Sequence, residues 1–131
     1  MPYSVTALSG RLILVAEDEY MLADAIVAAI ESAGGNVLGP FPSVEESLRA
    51  LASAERQPDS AALNIRLLDG ESYALADELR RRSVPFVFAS ANRVSLLPSR
   101  FSRSPMVGKP YAAYQVVQAL TALLAPAQAA S

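Results

Sequence analysis

Five short apolar runs alternate with amphipathic segments along the chain. The runs have the length and composition of strands in a sheet that is covered on both faces. They are Leu12–Ala16, Asn36–Gly39, Ser60–Leu63, Pro85–Ala89 and Met106–Gly108. The segments between them repeat apolar residues every three or four positions, which is typical of helices with one buried face. This order predicts a doubly wound α/β fold, in which a five-stranded parallel sheet lies between two layers of helices.

The length of 131 residues predicts one folded domain. We assign residues 11–125 to that domain, residues 1–10 to an N-terminal lead-in and residues 126–131 to an Ala-rich tail. Within the domain, residues 93–104 follow no clear period because Pro98 interrupts them, so we expect one short helix there at most. The tail is too short for an output domain, and we therefore expect the domain to act through its own surface.

Composition excludes several kinds of chemistry. The chain has no cysteine and no histidine, which excludes disulfides, thiol catalysis, thiolate metal sites and histidine as a base or phosphoacceptor. The net charge is −2 and the basic residues are scattered, so we expect no nucleic-acid partner. There is neither a signal-peptide pattern nor an apolar stretch of about 18 residues. We therefore expect a cytoplasmic protein that does not associate with membranes.

Polar residues follow four of the five predicted strands. Glu17-Asp18 follows the first strand, Asn64 the third, Ser90 the fourth and Lys109 the fifth. Each residue taken alone has an ordinary structural explanation, such as a turn or a charge at a helix N-terminus. Their joint occurrence at the ends of four strands has no such explanation. Ligands bind open parallel sheets outside the carboxyl ends of the strands, so we expect these side chains to converge. Lys109 is the single lysine among eleven basic residues, and a compact ammonium suits a tight oxyanion site better than a guanidinium.

With these residues in this order, residues 11–125 resemble the receiver domain of two-component response regulators. Receivers carry an acidic pair after strand one, a phosphoacceptor aspartate after strand three, serine or threonine after strand four, and Lys-Pro after strand five. Pro85–Ser90 also resembles the alphaproteobacterial single-domain receivers with the signature Pro-Phe-x-Phe-Ala-Thr-Gly-Tyr, although Ser-Ala-Asn replaces its last three residues. The resemblance implies a flavodoxin-like receiver fold with strand order 2-1-3-4-5 and a shortened, irregular fourth helix region.

The resemblance also implies a role for each site residue. In the family, the aspartate attacks a phosphoryl group from a histidine kinase or a small donor, while Mg²⁺, the lysine and the hydroxyl neutralise the developing charge. Asp18 would bind Mg²⁺ directly and Glu17 would assist through water. The backbone carbonyl of Arg66 would supply a further oxygen. Ser90 and Lys109 would hold the phosphoryl oxygens.

Two positions depart from the family pattern. The phosphoacceptor position is Asn64, and Met106 stands where receivers carry an aromatic switch residue, three positions before the lysine. An amide is a poor nucleophile and cannot form an acyl phosphate. It also removes from the metal site one charge–charge attraction, on the order of 4 kcal/mol at about 4 Å and a dielectric of 20. We therefore predict no phosphorylation at Asn64, a weakened Mg²⁺ site with the Asn64 amide oxygen as a ligand, and a more stable metal-free fold.

Three functions stay open at this point. The first is a pseudo-receiver, a non-enzymatic module of phosphorelay signalling that acts through protein–protein interaction. The second is a phosphorylatable receiver whose acceptor aspartate was changed to Asn64. The third is a small flavodoxin-like nucleotide-binding enzyme, against which stands Glu17-Asp18-Glu19 in place of a glycine-rich loop. For the first two, the expected partners are a histidine kinase, a phosphotransferase or a downstream regulatory protein. Homodimerisation through the face formed by residues 93–124 is a further expectation.

Overall fold

The computed structural model describes residues 4–90, 97–108 and 111–124, with Ser90 described through its backbone. Its strands are β1 (Leu12–Ala16), β2 (Asn36–Phe41), β3 (Ser60–Leu63), β4 (Arg66–Leu67), β5 (Gly70–Glu71), β6 (Phe86–Ser90) and β7 (Met106–Gly108). Its α-helices are α1 (Tyr20–Ser32), α2 (Val44–Ser53), α3 (Tyr73–Arg81) and α4 (Ala113–Leu124). A short 3-10 helix covers Ser99–Phe101.

The central sheet has five parallel strands in the order β2-β1-β3-β6-β7. This confirms the predicted order 2-1-3-4-5, because β6 and β7 are the fourth and fifth strands expected from the sequence. The two-residue strands β4 and β5 form a separate antiparallel hairpin between β3 and α3. That hairpin was not predicted, since two-residue strands have no periodicity to detect.

The core has two parts, one on each face of the sheet. Neighbouring residues of β1 show the division: Leu14 packs in one cluster with residues of α2 and α3, whereas Ile13 and Val15 pack in the other with α1 and α4. Successive side chains of a strand point to opposite faces, so a strand that is apolar throughout requires cover on both sides. The two helical layers provide that cover, which confirms the doubly wound α/β architecture.

Strand β2 runs to Phe41 and so extends past the predicted end at Gly39. Pro40 is tolerated there because β2 lies at the edge of the sheet, where a missing N–H donor breaks no ladder. Gly39 has φ 108°, and a Cβ at this position would lie 2.9 Å from the carbonyl oxygen of Val15. The close approach of β2 to β1 therefore requires glycine.

The segment before β7 is short and irregular, as predicted, within residues 97–108 of the described chain. Phe101 in the 3-10 helix is fully buried and stacks on Tyr73, with ring centroids 5.6 Å apart. Arg100 donates two hydrogen bonds to the Asp77 carboxylate on α3, at 2.9 and 3.0 Å. A buried ring and an ion pair thus attach this segment to α3.

Residues 4–10 pack on the domain through Leu8, which is 0% exposed. The Leu8 N–H donates to the carbonyl of Ala33 at the end of α1, over 2.9 Å. The predicted lead-in therefore contributes a core residue, while the domain boundaries themselves stay a prediction. The tail, residues 126–131, lies outside the described residues. Among the described helices, none combines the length and the apolar character needed to cross a membrane.

Candidate functional site

The loops that leave β1 and β3 lie side by side at the carboxyl end of the sheet. The Asn64 N–H donates to the Ala16 carbonyl over 2.8 Å, which continues the β1–β3 ladder by one residue. The Glu17 N–H donates to the Phe41 carbonyl on the other neighbour of β1, over 2.9 Å. Both side chains are buried, with Glu17 4% and Asn64 8% exposed. The backbone pairing of three strands thus holds an acid and an amide together.

The Asn64 side chain donates to both acids of the predicted pair. Its Nδ2 lies 3.0 Å from Oε2 of Glu17 and 3.2 Å from Oδ1 of Asp18. Ionised carboxylates only accept hydrogen bonds, so the amide must present its NH₂ group to them. Oε2 of Glu17 also accepts the backbone N–H of Glu19 over 3.0 Å. The acidic pair is therefore bridged by neutral N–H donors.

This donor arrangement does not fit Mg²⁺. The ion requires oxygen ligands in a near-octahedral set, whereas the amide directs N–H groups into the space between the two carboxylates. No group of three or more acidic, histidine or cysteine side chains suited to a metal occurs in the described part of the chain. A cation would need the amide to turn its oxygen toward the carboxylates.

Two other residues predicted for this site are Ser90 and Lys109. Ser90 is the last residue of β6 and pairs with Gly108, the last residue of β7. Lys109 comes next in the chain and lies outside the described residues, as does the side chain of Ser90. The structure therefore brings Glu17, Asp18 and Asn64 together, while the convergence of Ser90 and Lys109 on them stays a prediction.

Arg66 and Met106 have clear positions. Arg66 is in β4, and its exposed side chain lies 3.4 Å from the Glu71 carboxylate of β5. Its predicted role as a carbonyl ligand is not tested by these contacts. Met106 pairs with Phe88 at the start of β7, is half-buried, and packs against the core cluster on the α2–α3 side. Its thioether therefore fills space at the predicted switch position and has no hydroxyl to offer.

Asp69 holds the β4–β5 hairpin against the start of α2. Its two carboxylate oxygens accept the backbone N–H groups of Val44, at 2.7 Å, and Glu45, at 3.0 Å. These bonds hold the pKa of Asp69 below its usual value, with the Val44 contribution the larger. The Leu68 N–H donates to the Pro42 carbonyl over 3.0 Å. Helix α2 thereby restrains the loop that begins at Asn64, a role the sequence did not reveal because Asp69-Gly70 is an ordinary turn signal.

Tyr111 is a second residue that sequence reasoning missed. Its hydroxyl is buried and has no hydrogen-bond partner within the described residues. Burial, and then the charges of Glu17 and Glu19, raise the pKa of this hydroxyl. The phenol therefore stays protonated near the acidic loop after β1. Its position two residues after Lys109 was the available signal.

Several known proteins are similar to this chain. The solution structure of SdrG from Sphingomonas melonis Fr1 matches 91% of this chain and 98% of its own chain, with 32% identity and a TM-score of 0.74. A BeF3-activated conformation of SdrG, from Pseudomonas melonis Fr1, matches 93% of this chain and 98% of its own, with 30% identity and a TM-score of 0.72. The response regulator PhyR from Brucella abortus matches 89% of this chain and 49% of its own, with a TM-score of 0.71. At 24% identity, that last likeness shows the fold alone.

One sequence relative adds to these structures. The phyllosphere-induced regulator PhyR of Methylorubrum extorquens is 34% identical over 91 residues, which are 68% of this chain and 32% of that regulator. The matched region therefore spans about a third of the longer protein. No protein-family model matches the chain.

Proposed function

The chain belongs to the receiver domains of response regulators, and from this premise we propose that it serves phosphorelay signalling without accepting a phosphoryl group at Asn64. Members of this family are signalling regulators and not enzymes. The proposed mode of action is protein–protein interaction in a state that aspartyl phosphorylation does not set. This makes the domain a pseudo-receiver.

The observation that carries the proposal is the amide bridge of Asn64 to Glu17 and Asp18. Phosphoryl transfer to a receiver needs a carboxylate oxygen as the nucleophile, and the amide has none. The same amide donates a hydrogen bond to each of the two acids and so occupies the space between them. The chemistry of the site thus supports a constant state in place of a switched one.

Binding of Mg²⁺ is proposed to be weak for the same reason. A cation would have to displace two hydrogen bonds and turn the Asn64 amide, and it would meet two carboxylates where an ordinary receiver offers three. Receivers need the ion to neutralise the transferring group. Weak binding would lower residual phosphate affinity at Ser90 and Lys109 as well.

The proposed partners are those of a receiver that transmits through its surface: a histidine kinase, a phosphotransferase or a downstream regulatory protein. Similarity to PhyR, which is described as a regulator, supports this class of partner. Homodimerisation through the face formed by residues 93–124 remains a separate prediction.

Intact mass spectrometry after incubation with acetyl phosphate and Mg²⁺ tests the proposal. We expect no phosphoryl adduct on the natural chain and an adduct at position 64 on the Asn64→Asp variant, which regains the nucleophile. A receiver of known competence in the same reaction shows that the donor is active. An adduct that maps to Asn64 in the natural chain would refute the proposal.

A second measurement addresses the state of the domain. BeF₃⁻ with Mg²⁺ mimics an aspartyl phosphate, so the amide NMR spectrum of the natural chain should stay unchanged when they are added. The Asn64→Asp variant should show shifts around the loops after β1 and β3. Equal shifts in both proteins would mean that Asn64 does not prevent activation.

A further inference from the structure

A groove of about 520 Å³ opens at the end of the sheet opposite Asn64. Its lining includes Pro85 and Pro105, which directly precede β6 and β7. Asn64 directly follows the carboxyl end of β3. Because all three strands are parallel, the groove lies at the amino ends of the strands and the candidate site at their carboxyl ends. The groove is therefore a separate feature of the molecule.

Apolar residues and two arginines line the groove. Val84, Phe86 and Leu123 line it together with Arg80 and Arg103, and no acidic residue is among its lining residues. Its volume lies in the range of known ligand sites, about 300–1,000 Å³. A ligand with both an apolar group and a negative charge would complement this surface.

The two arginines differ from the other arginines in the described segments. Every other described arginine has a carboxylate within ion-pair distance: Arg11, Arg49, Arg56, Arg66, Arg81, Arg82 and Arg100. Arg80 and Arg103 have no such partner among the described residues, and both line this groove. Two uncompensated cations on one apolar surface give the groove a local positive potential.

Arg80 is held in place before any ligand arrives. Its Nη1 donates to the Arg100 carbonyl over 2.7 Å, and its Nη2 to the Ser104 hydroxyl over 3.2 Å. Its guanidinium carbon lies 4.9 Å from the centroid of the Phe101 ring and 5.7 Å from that of Phe86. A guanidinium has five N–H donors, so others remain for a ligand. Restraint of this kind lowers the entropy lost on binding.

We propose that the groove binds an acidic peptide segment of a partner protein. A carboxylate side chain of the segment would pair with Arg80 and Arg103, and an adjacent apolar side chain would pack on Phe86 and Leu123. Arginine binds carboxylates through two parallel N–H bonds, which suits this pairing. Nucleic-acid binding depends on many cationic contacts to phosphates. The chain has a net charge of −2, so a peptide suits the groove better than a nucleic acid.

Fluorescence anisotropy with the full chain tests the proposal. The probe is a labelled, end-blocked peptide, Asp-Leu-Glu-Phe-Asp, and its control is the neutral counterpart Asn-Leu-Gln-Phe-Asn. We expect the acidic peptide to bind and the neutral one to bind at least about tenfold more weakly, since charge-assisted hydrogen bonds are lost. Binding should weaken as salt is added. In NMR spectra, the amides of Arg80, Ser83 and Ser104 should shift.

Two variants sharpen the test. Arg103→Glu reverses an exposed charge of the groove and should weaken binding at least about tenfold. The matched control Arg49→Glu reverses an exposed charge on α2, away from the groove, and should leave binding unchanged. None of these measurements involves Asn64, so this proposal and the proposed function can fail independently.

Three results would overturn the proposal: equal binding of the neutral peptide, unchanged binding by Arg103→Glu, or amide shifts away from the groove. Tighter binding of a single-stranded oligonucleotide that competes with the peptide would assign the groove to nucleic acid instead. Equal competition by citrate would assign it to small anions.

Discussion

The side-chain nitrogen of Asn64 lies 3.0 Å from Oε2 of Glu17. The contact gives the buried Glu17 carboxylate a neutral N–H donor, from the residue that the resemblance to receivers places at the phosphoacceptor position.

Asn64→Asp should destabilise the metal-free domain, because a third carboxylate then faces Glu17 and Asp18 at about hydrogen-bond distance. The expected loss is on the order of 2–4 kcal/mol in the free energy of unfolding. Millimolar Mg²⁺ should recover much of it. Urea unfolding with Mg²⁺ and with EDTA measures both effects. Asn36→Asp, which adds the same charge at an exposed edge position, should have little effect in either buffer.

Glu78 should make stability depend on acid pH. Hydrogen bonds from Arg81 and then Arg82 lower the pKa of Glu78 from its ordinary 4.5 to about 2. The pKa is lower in the folded state, so the ionised group stabilises the fold above pH 4.5, and this contribution is lost as the pH falls toward 2. Glu78→Gln should be less stable than the natural chain at neutral pH and converge with it near pH 2 in urea unfolding. Glu55 is an exposed acid outside any described ion pair, so the free energy of unfolding of Glu55→Gln should follow that of the natural chain at every pH. If the two variants converged on the natural chain in the same way, the prediction would be contradicted.

Asp69→Ala should loosen the start of α2. The variant loses the acceptors of the Val44 and Glu45 N–H groups, so hydrogen exchange at these two amides should become faster. Asp24→Ala removes an exposed acid from α1 and should leave both amides unchanged. Unchanged exchange in Asp69→Ala would mean that water replaces the carboxylate without cost.

Ser83→Gly should stabilise the domain. Ser83 follows the end of α3 with φ 59°, a left-handed conformation that glycine adopts without strain. We expect a gain of about 0.5–1 kcal/mol in the free energy of unfolding. Ser83→Val should lower stability, because a β-branched residue fits this conformation poorly. Thermal and urea unfolding distinguish the two outcomes.

Phe101→Ala should be the most damaging of these changes. The ring is fully buried and contacts the rings of Tyr73, Phe86 and Phe88. Its removal should cost about 3–5 kcal/mol, as large core truncations do. Phe101→Leu keeps much of the volume and should cost less, about 1–2 kcal/mol. If both variants cost the same, the aromatic cluster would not be what attaches this segment.

Prediction from the sequence succeeded where the pattern was local and regular. The alternation of strands and helices and the two helical layers could be inferred from apolar runs and one-sided helices, whereas the strand order was predicted from the resemblance to receivers. Prediction failed at the β4–β5 hairpin, whose strands are too short to show a period, and at Pro40, whose effect depends on β2 being an edge strand. Edge position is a property of the whole sheet, which no local pattern contains.

At the candidate site too, some residues were predicted from the sequence and others were missed. Strand ends indicated that Glu17, Asp18 and Asn64 would meet, and the described contacts join all three. Asp69 and Tyr111 were missed because their contacts cross many residues of sequence and depend on how a hairpin and a helix pack. The roles of Ser90 and Lys109 stay predictions.

By itself the sequence determined the alternation of strands and helices, the resemblance to receivers and the amide of Asn64 after the third predicted strand, because each of these depends on residue type and local spacing. Only the tertiary structure decided that the N–H groups of Asn64 face both acids, and that Arg80 and Arg103 share a groove without a described carboxylate partner. Those relationships depend on the packing of distant segments, which sets where donors and charges point.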